Sequence, residues 1–146
     1  MTPTVWVFFY GSYINFEVLK EVDLVPAEWE VATLSGFDLD ISPRANLLRN
    51  SGALVHGVLA TATHAELERL YTGHSQGVLG ETYLPEAVLT VDKAGKFRPA
   101  LSYIAPNMIA RPAEKAYVER IAQPAERLGF PRAYVERIRG FARAHS

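Results

Sequence analysis

The run VWVFFYGSYIN, from Val5 to Asn15, carries six apolar or aromatic residues straight into Gly11-Ser12, with helix-forming residues immediately after. A strand-to-helix corner of this kind turns backbone N–H groups outward, where they can hold an anion or a carbonyl oxygen. Glycine there lets a ligand come close to the main chain. Ser12 places a hydroxyl at the same corner, but the Gly-x-Ser-x-Gly elbow of a serine hydrolase is absent. On its residues alone, Tyr-Gly-Ser is more economically read as a plain turn. Other chemistries find less support. His56, His64, His74 and His145 show neither His-x-x-x-His spacing nor a nearby carboxylate pattern, so no metal is expected and the histidines read as structural. There is no Gly-x-x-x-x-Gly-Lys loop and no Gly-x-Gly-x-x-Gly turn, so no nucleotide or other cofactor is expected. The chain has no cysteine, which removes disulfides, thiolate nucleophiles and sulfur-based metal sites together.

The elements that must position such a corner are legible in outline. Val5 to Tyr10 reads as a buried strand, β-branched and aromatic, ended by glycine. Asn15 can cap a short helix through about Glu21, with Phe16, Leu19 and Val22 on one side. Strands WEVATL and GFDLDIS come next, and in the second Phe37, Leu39 and Ile41 alternate with Asp38, Asp40 and Ser42. RANLLRNSG reads as a loop and ALVHGVLA as a central strand apolar on both faces. In THAELERLY, Thr63 and Glu66 form a capping box. TGHSQGVLGE, with three glycines in ten residues, reads as irregular. TYLPEAVLTV and RPALSYIA flank DKAGK as a hairpin, with Pro85 marking an edge or a bulge. The tail reads as helical: Pro112 at a first helical position, Pro124 as an interruption, Gly129 as a stop and Pro131 as the start of a last helix. Tyr134, Val135, Ile138, Phe141 and Ala142 form one apolar stripe on that helix.

About six strands, few joined by crossover helices, predict one α+β domain spanning residues 1–146. Its sheet is expected to be mostly antiparallel and to close into a small β-barrel, with helices around it and a helical C-terminal tail. The composition, 49% hydrophobic and 21% charged over 146 residues, is that of a soluble domain. A net charge of −1 gives no case for nucleic acid. VWVFF is too short for a signal sequence or a membrane span, so no membrane association is expected and the cytoplasm is the default location. From Arg111 onward there are eight basic and four acidic residues, read as a solvated arginine-rich face. Arg44 and Arg49 lie on the expected loop and read as solvated, although either is placed to meet an acidic substrate.

Taken in order, FFYGSYIN, GFDLDIS, VHGVLATATHAELERLY, QGVLGETYLPEAVLTV, ALSYIAP and YVERIAQPAERLGFPRAYVERI resemble the gamma-glutamylcyclotransferase-like family over nearly the whole chain. The resemblance implies a small β-barrel with a cavity at one end. It also implies a reaction that closes the glutamyl part of a small-molecule gamma-glutamyl amide into 5-oxoproline and releases the amine. By the same resemblance Tyr10, Gly11, Ser12, Tyr13 and Ile14 cradle the glutamyl group, and Tyr83 and Tyr103 line the cavity. For the two tyrosines, core packing with the hydroxyl at the rim is the plain alternative.

One position departs from the pattern. The family places a glutamate followed by glycine after the mid-chain helix, and here Gln76 stands before Gly77. A carboxamide keeps the size and hydrogen bonds of a carboxylate but exchanges no proton at neutral pH. Losing a general acid–base group slows a reaction by about a hundred- to ten-thousand-fold. Three accounts stand side by side: Gln76 is a substitution that traps a ligand, the role has moved to Glu81, or the cavity binds without this turnover. Glu86 is a poorer candidate, on the opposite strand face from Glu81 unless Pro85 introduces a bulge.

Overall fold

Two strands dominate the middle of the chain. In the computed structural model, which describes residues 2–143 with side chains through 142, β1 is Thr4–Phe9, β2 is Trp29–Ile41 and β3 is Ala45–Thr63. WEVATL and GFDLDIS are therefore one strand, bent where the β2–β3 register shifts between Ser35 and Phe37, around Gly36 at φ +88°. The segment expected as a loop, RANLLRNSG, is strand from its second residue: Ala45 to Gly52 open β3 and pair with β2 from Ile41↔Ala45 to Phe37↔Arg49. Its polar, loop-like composition reflects exposure: residues 48–52 stand in solvent, while Ala45, Asn46 and Leu47 are buried. Asn46 is held there by two hydrogen bonds with the Ala105 main chain, Nδ2 to the carbonyl at 2.8 Å and the amide to Oδ1 at 2.9 Å.

The expected hairpin is present as β4, Leu84–Val91, and β5, Phe97–Ile104, with Pro85 in register opposite Tyr103 near the start of its strand. Among the described residues the strands number five rather than six. They form one mixed sheet in the order β1-β3-β2-β4-β5, and β5 returns to β1 so that the order closes on itself. The closing pair, Val7↔Leu101, is parallel, which corrects the antiparallel expectation at that seam. Central β3 is apolar on both faces as expected, with Val55, Val58, Leu59 and Ala60 fully buried. Phe8 and Phe9 of β1 are fully buried beside them, each contributing on the order of 2–3 kcal/mol by leaving water.

Four α-helices accompany the sheet. α1, Phe16–Lys20, is capped by Asn15 Oδ1, which accepts from Glu17 N–H at 3.1 Å. α2, His64–Glu68, begins with the expected capping box, with Thr63 N–H donating to Glu66 at 2.8 Å and Glu66 N–H to Thr63 at 3.1 Å. Of the stretch expected to be irregular, TGHSQGVLGE, the first half belongs to a π-helical segment, Arg69–Gln76, and residues 77–81 are irregular as expected. α3, Lys115–Arg127, starts three residues after Pro112, and Pro124 lies within it rather than interrupting it. Proline lacks the N–H that the Arg120 carbonyl expects four residues earlier. The Asn15 side chain supplies a donor to that carbonyl at 3.4 Å. Gly129, at φ +82°, ends the turn after α3. α4, Arg132–Arg143, comes after Pro131 and packs its predicted stripe on the core, with Val135 and Ile138 buried. The tail arginines are paired more than expected: Arg137 meets Asp38 of β2, and Arg139 meets Glu119 and Glu126 of α3.

Candidate active site

The corner after β1 is a short 3-10 turn, Ser12–Ile14, in which Ile14 N–H donates to Gly11 and Asn15 N–H to Ser12. The amides of Ser12 and Tyr13 precede those bonds and have no backbone acceptor among the described residues. Glycine at 11 has a structural reason: a Cβ there lies 2.5 Å from the Ala45 Cβ on β3. The turn is thus pressed against the start of β3, and its other side faces a cavity.

That cavity is walled by phenols. Six of the chain's seven tyrosines line it, Tyr10, Tyr13, Tyr71, Tyr83, Tyr103 and Tyr117, together with Phe9, Gly11, Ser12, Ala45, Ser75 and Leu79. The rings are fixed to main chain and to each other. Tyr10 donates to the Tyr103 carbonyl at 2.6 Å, Tyr83 donates to the Ala45 carbonyl at 2.5 Å, and the Ala45 amide donates to Tyr117 at 2.9 Å. Tyr71 stacks on Tyr103 with centroids 3.7 Å apart at 10°. The free volume between them is about 20 Å³, room for about one water. Burial raises the phenol pKa of Tyr10, Tyr13, Tyr71, Tyr83 and Tyr117, so these hydroxyls stay neutral.

Of the residues expected at the site, Tyr10, Gly11, Ser12, Tyr13, Tyr83 and Tyr103 meet at this cavity. Ile14 does not: it is buried against a separate hollow with Phe16, Trp29 and Leu128. Gln76 is exposed and lies on an outer groove that shares Tyr71, Tyr83 and Tyr103 with the cavity. Glu81 lies in another hollow, with Arg44, Arg111 and Glu114, separated from the cavity by Leu79, which borders both. Among the described residues no carboxylate lines the cavity itself. Arg44 stacks over the Tyr117 ring at 4.7 Å, and Arg49 pairs with Glu86, away from the cavity.

Sequence reasoning missed Tyr71, Ser75, His74 and Tyr117. Tyr71 and Tyr117 lie on separate helical segments, and nothing in a 3.6-residue period marks them as convergent. His74 is buried, with Nδ1 2.9 Å from the Tyr13 hydroxyl and Nε2 3.5 Å from Glu21. Its pKa is lowered by burial, opposed by Glu21 and assisted by Arg120 and Arg44. Among the described residues no group of three or more His, Asp or Glu side chains is arranged to hold a metal, and no helix is long and apolar enough to cross a membrane.

Solved structures share this architecture. One described as a gamma-glutamyl cyclotransferase matches with a TM-score of 0.81 at 24% identity, over 93% of this chain and 86% of that one. An uncharacterized protein from Homo sapiens gives 0.79 at 24%, over 92% of this chain and 86% of that one. A gamma-glutamyl cyclotransferase specific to glutathione, from yeast, gives 0.66 at 12%, over 97% and 96%. At these identities the likeness is one of fold. No family model and no curated protein matches the sequence.

Proposed function

We propose that this chain, which has the gamma-glutamyl cyclotransferase fold, is a cyclotransferase-type enzyme acting on a gamma-glutamyl amine or a gamma-glutamyl-protected small molecule. Its products are 5-oxoproline and the free amine. The supporting observation is that the Gly11-Ser12-Tyr13 corner forms one wall of the tyrosine cavity. The reaction is intramolecular, so the protein's first task is to fold the substrate until its α-amine reaches the γ-carbonyl carbon. The amides of Ser12 and Tyr13 are free to receive the oxyanion that develops there. Neutral phenols suit the uncharged body of a folded glutamyl group.

The proton carrier is the point at which the site departs from expectation. Gln76 has no proton to exchange, and Glu81 stands beyond Leu79. The lack of a carboxylate in the cavity lining favours a second reading: a protein that binds a glutamyl-like ligand without turning it over.

A panel of gamma-glutamyl amines, followed for 5-oxoproline, separates these. Release by the wild-type chain supports the enzyme. A rise with Gln76→Glu identifies position 76 as a vacated acid position, and a loss with Glu81→Gln identifies a relocated acid. Calorimetric binding with no release in any of the three proteins supports the binder and overturns the enzyme.

A further inference from the structure

The cavity wall contains a run of hydroxyls that ends on a buried imidazole. Ser75 Oγ and the Tyr13 hydroxyl form a short hydrogen bond. The same Tyr13 oxygen lies 2.9 Å from His74 Nδ1, and His74 Nε2 lies 3.5 Å from a carboxylate oxygen of Glu21. Ser75 is fully buried, and Tyr13 and His74 are nearly so. Three elements build the run. Tyr13 comes from the turn after β1, His74 and Ser75 from the π-helical segment, and Glu21 from the end of α1. Arg120 of α3 lies 3.7 Å from Glu21 on its far side.

The far end sets the direction of every bond. A carboxylate beside Nε2 favours the tautomer with its proton there, which leaves Nδ1 as an acceptor. Tyr13 then donates to Nδ1 and accepts from Ser75. The remaining lone pairs of Ser75 are left for a donor in the cavity that Ser75 lines. With that tautomer the two hydroxyl donors point one way, from the cavity to His74 Nδ1.

We propose that Ser75, Tyr13 and His74 form the proton relay of the cyclotransferase reaction proposed for this chain, with Ser75 Oγ meeting the substrate amine and His74 holding the proton. The proposal rests on that reaction. The α-amine, reacting unprotonated, forms a bond from nitrogen to the γ-carbonyl carbon. Its proton passes to Ser75 as Ser75 passes its own to Tyr13 and Tyr13 passes its own to Nδ1. The bond from the same carbon to the departing nitrogen then breaks, and that nitrogen keeps the electron pair. The relay runs backward to protonate it. One C–N bond has replaced another, the imidazole is neutral at start and finish, and no other reactant is consumed. His74 acts through Tyr13 and is a positioning and proton-holding residue. It takes the task that a carboxamide at position 76 cannot perform.

The surroundings suit that task. Burial, with Arg120 and Arg44 in the same direction, keeps the imidazole neutral and able to accept at neutral pH, while Glu21 stabilises the cation once formed. The groups facing His74 are Tyr13 from the turn, Glu21 after α1, Arg120 from α3 and Arg44 from the β2–β3 turn. Tyr13 is kept neutral by burial, so it passes a proton while accepting another rather than resting as a phenolate.

The test is 5-oxoproline release against pH for the wild-type chain and for His74→Gln, Tyr13→Phe, Ser75→Ala and Glu21→Gln. The first three are expected to lower kcat by about a hundred- to ten-thousand-fold with KM within a few-fold. His74→Gln also removes the acidic limb of the kcat/KM profile. Glu21→Gln keeps that limb and moves it to lower pH, because the group that raised the imidazole pKa is gone. A nitrogen-15 spectrum of the wild-type imidazole, which needs no turnover, is expected to show the proton on Nε2. A proton on Nδ1, or a His74→Gln variant with unchanged kcat and an unchanged acidic limb, overturns the relay and leaves the cyclotransferase reaction standing. Absence of release by the wild-type chain from every substrate overturns both.

Discussion

Replacing Gly11 by alanine tests why the corner carries glycine. The added Cβ lands 2.5 Å from the Ala45 Cβ, against about 3.5–4.0 Å for an ordinary carbon contact, so about 1 Å of separation has to be found. Neither atom has a rotamer with which to yield, and Ala45 is held in the β2–β3 ladder opposite Ile41. Overpacking of this kind costs about 1–3 kcal/mol. With a urea m-value of about 1–3 kcal/mol/M, the unfolding midpoint should fall by about 1 M, read by far-UV circular dichroism. Ala45→Gly alone costs about 0.5–1 kcal/mol, the usual penalty of glycine in a strand. In the double variant the clash is gone, so the two changes should couple favourably by at least about 1 kcal/mol. Simple additivity, or a Gly11→Ala variant as stable as wild type, would refute the packing explanation. If 5-oxoproline release stays low in the double variant after stability has returned, the glycine also serves the ligand directly.

Asn46→Ala leaves the buried Ala105 amide and carbonyl without the side-chain partners they have at 2.9 and 2.8 Å, and should cost about 2–3 kcal/mol in urea unfolding. Asn15→Ala removes the cap of α1 and the donor that serves Arg120 above Pro124. A loss of about 1 kcal/mol is expected, and amide exchange should quicken in both helices. His56 and His74 both have folded pKa values below the ordinary 6.5, chiefly through burial, so the unfolded chain binds protons that the folded chain refuses. Stability should therefore be full above about pH 6.5 and fall as the pH drops from there through the folded values. The fall should be shallower in His56→Gln and His74→Gln when urea midpoints are compared at pH 7.5 and 5.5.

Local physics was readable from residue order. The end of β1 just before Gly11, the Asn15 cap, the Thr63–Glu66 box, the β4–β5 hairpin and the stripe of α4 each depend on neighbours within a few positions, and each is present. Where local signals failed, a longer pairing had overridden them. RANLLRNSG is polar because half of it faces water, yet β2 holds it as strand through every residue from Ala45 to Arg49. Pro124 sits in a helix, and a side chain from far along the chain serves the carbonyl it orphans.

The site divides along the same line. The sequence by itself determined that a glycine and a serine follow the first strand, and that position 76 carries a carboxamide. Only the tertiary structure decided what those features face. Closing the sheet from β5 back to β1 brings Tyr103 onto Tyr10, and α3 brings Tyr117 onto Ala45, so six tyrosines from remote positions share one cavity. A π-helical segment carries an extra residue per turn. In this one His74 and Ser75 are directed inward and Gln76 is left in solvent. Periodicity and motif spacing describe one element at a time, whereas the cavity's chemistry depends on how several elements converge.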